Sequence, residues 1–440
     1  MKQHGGDGLM ACPDLAIETV LADCMRLSPT ASDRLWRILL IVGVVYALAM
    51  VVYPTVRLLD GSGDFLAFHK TARSFLQTGQ ITTEHGVRNY LPFFVLFMAP
   101  FGLLPGWLAC ALFNLLSIGL LVMCLVMIDR WLLPVRRGGG LVRIAVPALL
   151  ALPFITAALV LGQVIIVVLF LLTLGWFLFE QKRDAAAGMC FALAALIKAF
   201  PAILLLYVLL KRRWRVFGAA VGALVVFGAI GPAIALGPQR AWGLHKQYWQ
   251  RVVVGNSSLA MIEADKHRLL RFNNESLTVV VRRLLRQTDA APTPPSLYVN
   301  LVDWPPAAAQ AAYLLLAGAT LAGAVFVARR RSDRVPQQRL RFEFAMFLLV
   351  GLMLSPLVWV RYLTVALYPL CLLTVKLVED GDAGRPNRVG LVVWIAWIVS
   401  IPLLASPWCR AIGVHMWVVA LLAVVMAREA LRAEAGPIEA

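Results

Sequence analysis

From Leu35 to Leu59 the chain runs 25 residues without an acidic side chain, and the apolar stretch is repeated along the sequence. Trp107 to Ile128, Val142 to Leu161, Trp214 to Leu236 and Ala307 to Ala328 are comparable windows. A helix needs about 20 such residues to cross a bilayer. Lipid offers no partner to an open N–H or C=O, so these windows are helices. The class follows before any motif is read: an all-α, polytopic membrane protein. Composition agrees, because 15% of residues are charged, against about 25% in an average soluble domain. Residues 1 to 34 hold Asp14, Glu18, Asp23 and Arg26 with no uninterrupted apolar core. No cleavable signal peptide is expected from them.

Apolar segments fall near 35–59, 91–104, 106–128, 142–161, 163–180, 185–198, 200–210, 214–236, 307–328, 342–355, 357–377, 389–405 and 411–427. Several are too short to cross alone, and the pair split by Lys198 and Pro201 reads as a broken or re-entrant helix. The richest basic connectors are Arg130 to Arg143, Lys211 to Arg215 and Arg329 to Arg341. Arginine and lysine concentrate in cytoplasmic loops, which sets the orientation. The opposite face then collects residues 60–90, the turn at Gly162 and Gln163, the break at Lys198, the loop 237–306 and the segment from Ser355 to Arg361. The number of segments is odd, which cannot leave both termini inside, so 91–104 is expected not to cross. The expected organisation is a cytoplasmic segment 1–34, a transmembrane domain 35–428 and a cytoplasmic tail 429–440. The loop 237–306, with His245, Tyr248, Trp249, Asn273, Asn274, Arg282 and Trp304, reads as ordered loop and helix.

The formal charge of +17 lies mostly between spans rather than along one soluble face. Topology accounts for it, and no nucleic-acid partner is expected. The cysteines at 12, 24, 110, 124, 190, 371 and 409 show no zinc or disulfide spacing and read as small core residues. Gly138 to Gly140 lacks the lysine and hydroxyl of a phosphate loop. Asp380-Gly381-Asp382 resembles an acid pair for a metal, yet its loop is cytoplasmic and reads as a solvated turn. No metal site is expected.

The first polar island, GSGDFLAFHKTARSFLQTGQ, sets Asp64 against the end of an apolar segment, followed by His69, Lys70 and Arg73. A carboxylate near that depth is costly unless it is paired or wet. The plain alternative is a cap for a helix beginning at Phe65. The same face gathers Lys198, Arg282, Arg361, Gln163, Tyr90 and Asn274. A cation deep in a helical segment either snorkels to the interface or answers an anion. One acid beside several cations in a lipid-facing cavity suits transfer of a group from a lipid phosphate. The cations neutralise the leaving phosphate, and the carboxylate takes the proton of the attacking hydroxyl.

An ordered set of motifs carries a resemblance. GDFLAFHKTARSFLQTGQ, NYLPFFVLFMAPFGLLP, LVLGQVIIVVLFLL, AAGMCFALAALIKAFPAILLLYVLLKRRWR, NNESLTVVVRRLL and LSPLVWVRYL follow one another across roughly residues 35 to 375. Together they resemble glycosyltransferase family 87, the polyprenyl-phosphate-mannose-dependent mannosyltransferases of the GT-C superfamily. The resemblance implies a GT-C fold of about 12 transmembrane helices, with a catalytic aspartate in the first extracytoplasmic loop, at Asp64. It implies a multi-pass protein of the cytoplasmic membrane with its site on the extracytoplasmic side. The donor would be a polyprenyl phosphate sugar, most often mannose, used with inversion and with no cofactor or nucleotide. The acceptor would be a glycolipid or glycan. Lys198, in the family's lysine-x-x-proline position, would contact the donor phosphate, with Arg361 and Arg282 as further phosphate ligands. His69, Arg73, Tyr90, Gln163, Asn274, Glu275 and Tyr362 would shape the cavity.

Two departures stand out. The family's Ser-Pro-x-x-Trp-x-His-His becomes Ser355, Pro356, Trp359, Arg361 and Tyr362, so the histidine pair is absent. A guanidinium binds phosphate oxygens in pairs and stays charged, so Arg361 is suited to replace it. The change opens a pentose such as arabinofuranose as an alternative to mannose. NNES replaces Asn-Gln-Ser, leaving Glu275 as either a second acid or a solvated loop residue. Two readings compete with the transferase: a carrier or flippase for a lipid-linked sugar, and a scaffold subunit whose site has decayed.

Overall fold

The computed structural model describes residues 29–81, 89–133, 140–263 and 268–433. The N-terminal segment 1–28 and residues 434–440 lie outside the described residues. Among the described residues the fold is helical with no sheet, and the one extended pairing is an isolated bridge between Asn274 and Trp359. Eight helices among the described residues are long and apolar enough to cross a membrane, and four shorter apolar helices accompany them. This is an all-α polytopic membrane protein, as the apolar windows require.

Burial separates perimeter from core. The apolar window of Arg37–Leu58 is 6% buried, whereas that of Val360–Asp382 is 83% buried, so the first faces lipid and the second is packed among other helices. Gln337–Leu354 is buried along nearly its whole length and forms the central column. It packs on Val414–Arg432, Pro306–Ala328, Ile203–Leu210 and Leu367–Asp382. The segment expected not to cross is the helix Pro92–Gly102 of 11 residues, about 17 Å long. It rests on Asp64–Thr78, where a Cβ on Gly102 would come within 2.8 Å of the Ala72 backbone. The described part of the loop 237–306 is ordered, with helices Pro238–Tyr248 and Leu277–Leu285 and a run of backbone hydrogen bonds that includes Leu301 N to Leu284 O, 2.8 Å.

Charged side chains collect at both ends of the bundle. At the end made by the basic connectors, Lys211 and Arg339 share the Glu343 carboxylate, and Lys211 Nζ also donates to Arg330 O at 2.9 Å. Arg341 holds Glu180 through two hydrogen bonds of 2.9 Å. Asp380 and Asp382 end the helix Leu367–Asp382 rather than forming a free turn. Asp380 takes Lys376 at 2.7 Å and Asn387 at 3.0 Å. Cys110, Cys124, Cys190 and Cys371 are buried, in keeping with a packing role, while Cys12 and Cys24 lie outside the described residues.

Candidate active site

Chain breaks at the other end bring distant polar residues together. Gly63, at φ 105°, turns the backbone into the helix Asp64–Thr78, so Asp64 is the first helical residue and makes no side-chain cap bond. This replaces the expected cap of a helix starting at Phe65. Gly162 has φ 62°, and a Cβ there would come within 2.5 Å of the Phe65 Cβ. Only glycine suits both the left-handed backbone and this close approach. The Phe65 amide donates to Leu161 O at 3.1 Å, which fastens the two turns together. Gln163 is thereby aimed at Asp64, and its Nε2 donates to Asp64 Oδ2.

Lys198 owes its place to Pro201. A proline ring clashes with the carbonyl four residues earlier, so the helix Asp184–Ile197 ends where it does. Lys198 is extended, with φ −140° and ψ 135°, outside both neighbouring helices. Its ammonium donates to Tyr90 Oη at 2.6 Å and Tyr362 Oη at 2.8 Å and lies over both rings. Burial pushes the Lys198 pKa below the ordinary lysine value, with the Tyr90 phenol opposing the shift. Burial likewise raises the Tyr90 phenol. Tyr90 Oη in turn donates to Gln163 Oε1 at 3.5 Å, a long contact that completes a chain from Lys198 to Asp64.

Arg361 arrives from the third break. Pro356 forces Ser355 into an extended conformation and stops the helix Gln337–Leu354. The chain re-enters the bundle through a 3-10 turn at Val360–Ala366. Arg361 stacks over Trp359, 5.4 Å from the ring centre, and its Nη2 pairs with Asp64 Oδ2 at 3.2 Å. Its Nε is buried with no hydrogen-bond partner. Gln163 and Arg361 both engage Oδ2, and the other carboxylate oxygen of Asp64 has no protein partner among the described residues.

These groups border a cavity of about 350 Å³, with Phe68, Asn89, Tyr248, Val252, Arg271, Asn273 and Trp359 among its other walls. Among the described residues the lining holds one acid, Asp64, against Lys198, Arg271 and Arg361. Such an excess of positive charge beside apolar walls suits an anionic head group on a lipid.

Of the sequence candidates, Asp64, Tyr90, Gln163, Lys198, Arg361 and Tyr362 meet here, and five do not line the cavity. His69 is buried, with Nε2 against Leu104 O at 2.9 Å. Arg73 is exposed on the outer face of its helix. Arg282 is buried in Leu277–Leu285, donating to Thr288 at 2.5 Å, because the amphipathic helix turns it inward. Asn274 clamps backbone: its amide donates to Leu269 O and Pro356 O at 3.1 Å and accepts from Val358 N at 3.0 Å. Glu275 is neither solvated nor in the cavity. It is buried between Arg410 at 3.0 Å and His415 at 2.7 Å, while its own amide donates to Val358 O at 2.8 Å. Asn274 and Glu275 thus hold the segment that carries Arg361. Arg271 escaped the sequence reading, and Asn273, inside NNES, was placed in the loop 237–306 but not in the site.

The model of glycosyltransferase family 87 matches residues 89–356, more than half of the chain. No curated protein and no solved structure matches. Tyr90, Gln163 and Lys198 fall inside the matched stretch, and the fold adds Asp64 and Arg361 from just beyond its two ends. The chain therefore belongs to glycosyltransferase family 87 and is a multi-pass membrane glycosyltransferase.

Proposed function

We propose that the protein transfers a sugar, mannose first among the candidates, from a polyprenyl phosphate to a hydroxyl of a glycolipid or glycan. The site would face the extracytoplasmic side of the cytoplasmic membrane, since the arginine-rich connectors gather at the other end. One observation carries the reading: among the described residues Asp64 is the single carboxylate in a cavity whose other charges are the cations Lys198, Arg271 and Arg361. In the proposed step the acceptor oxygen attacks the anomeric carbon from the face opposite the phosphate. The carbon–oxygen bond to phosphate breaks, and the phosphate leaves with the electron pair. Asp64 takes the acceptor proton through the carboxylate oxygen that no described protein group occupies. Lys198 and Arg361 neutralise the charge growing on the phosphate. Arg361 stands where the family's histidine pair would, in contact with both the base and the cavity, which favours a working site over a decayed one.

The test uses purified protein in detergent with polyprenyl phosphate mannose and a panel of mannosylated lipid acceptors. Product formation without a compartment to cross marks a transferase rather than a carrier. Asp64→Asn should lower turnover by about 10²- to 10⁴-fold while the protein stays folded. Turnover equal to wild type would end the assignment of Asp64 as base. Replacing the donor by polyprenyl phosphate arabinose distinguishes the sugars.

A further inference from the structure

The guanidinium of Arg361 is already in use before any ligand arrives. It lies 3.2 Å from Asp64 Oδ2, the same oxygen that Gln163 engages. Yet it is not saturated, because its Nε is buried without a partner while the side chain lines the cavity. Lys198 is placed differently, held between two phenols and with no contact to the carboxylate. The two cations are therefore not equivalent toward an incoming anion. Lys198 makes no ion pair with an acid among the described residues, whereas Arg361 must be taken from one.

We infer that Arg361 is exchanged between Asp64 and the donor phosphate, so that donor binding itself releases the carboxylate for the acceptor hydroxyl. This rests on the proposed lipid-phosphate donor and adds an order to it: donor first, acceptor second. A carboxylate held against a guanidinium accepts a proton less readily than one released from it. A phosphate offers a guanidinium paired acceptor oxygens that a carboxylate already sharing Oδ2 with an amide does not. The exchange thus couples occupancy of the phosphate subsite to readiness of the base. An acceptor or water that enters an empty site meets a carboxylate still clamped. Gln163 stays on Oδ2 throughout and keeps the carboxylate oriented while the cation moves.

The consequence is an affinity that rises when an acid is removed. The probe is farnesyl phosphate, with farnesol as the neutral control, titrated into the purified, detergent-solubilised protein. A partly exposed ion pair is worth up to about 1 kcal/mol, so Asp64→Asn should tighten farnesyl phosphate binding by about three- to fivefold. Farnesol affinity should stay the same. In an Arg361→Gln background the gain from Asp64→Asn should vanish, because nothing remains to be exchanged. If that variant does not fold, Arg361→Met keeps the stem without the fork and serves in its place. A gain that persists without the guanidinium would mean plain charge repulsion and would overturn the exchange. So would wild-type binding that Asp64→Asn leaves unchanged or weakens. Wild-type protein with no affinity for farnesyl phosphate beyond that for farnesol would remove the lipid-phosphate donor, and the exchange with it.

Discussion

The two ends of the helix bundle both bury charge, and they do so in opposite ways. At the end built from the basic connectors, Glu343 has no exposure at all, and Lys211 and Arg339 close on it from either side. Glu180 is likewise occupied by Arg341 and by Gln337 at 2.6 Å. Both of these acids face their cations directly. At the cavity end Asp64 keeps 37% of its side-chain surface, uses one oxygen for both of its partners, and stands beside cations that outnumber it. Saturated pairs hold helices together, whereas incompletely matched charges around open space are available to a substrate. Charge burial by itself does not mark a site; surplus capacity does.

Breaking a saturated pair gives the largest expected effect. Glu343→Ala leaves two cations buried without their acid and should destabilise the fold by about 3–5 kcal/mol, read as a large drop in the melting temperature in detergent. An unchanged melting temperature would erase the distinction between the two ends. At the cavity end the loss should appear in binding instead. Lys198→Met should leave the melting temperature near wild type and weaken farnesyl phosphate by about 10- to 100-fold, the worth of one hydrogen bond from a charged group. Equal affinity in that variant would take Lys198 out of the phosphate subsite. Arg73→Ala sharpens the contrast from the weak side. The side chain is exposed and lines no part of the cavity, so stability should move by less than about 0.5 kcal/mol, with turnover unchanged. A loss of turnover there would mean that the cavity described is too small a part of the site.

Much of this arrangement was legible in the chain. Asp64 and Gln163 directly follow a glycine, and Lys198 and Arg361 stand near the breaks at Pro201 and Pro356; such residues end helices for steric reasons that the sequence displays. Four breaks on one face put their polar residues at one depth, and packing brings these four to one cavity. The arginines and histidine that failed as candidates were misread for a shared reason. His69, Arg73 and Arg282 were given to the correct face, but face does not say which way a helix is rotated. Rotation is set by packing: Gly102 against Ala72 turns Arg73 outward, and the burial of Leu277–Leu285 turns Arg282 toward Thr288. Asn274 and Glu275 were close to the right answer in space and wrong in role, because their partners, Pro356, Val358, Arg410 and His415, come from segments far along the chain.

Apolar run length alone determined that this protein is a bundle of membrane helices, since a chain surrounded by lipid can satisfy its backbone only within itself. Around the cavity, glycine and proline mark where helices stop and which polar residues stand at their ends, whereas Pro54, Pro147 and Pro153 lie inside unbroken helices. Tertiary structure decided the remainder: that Gln163 and Arg361 share one oxygen of Asp64, that Lys198 sits between two tyrosines, and that Glu275 is buried away from the cavity. Each of those depends on how one helix is turned against another, a matter of side-chain shape summed over many contacts, and local sequence does not encode that sum.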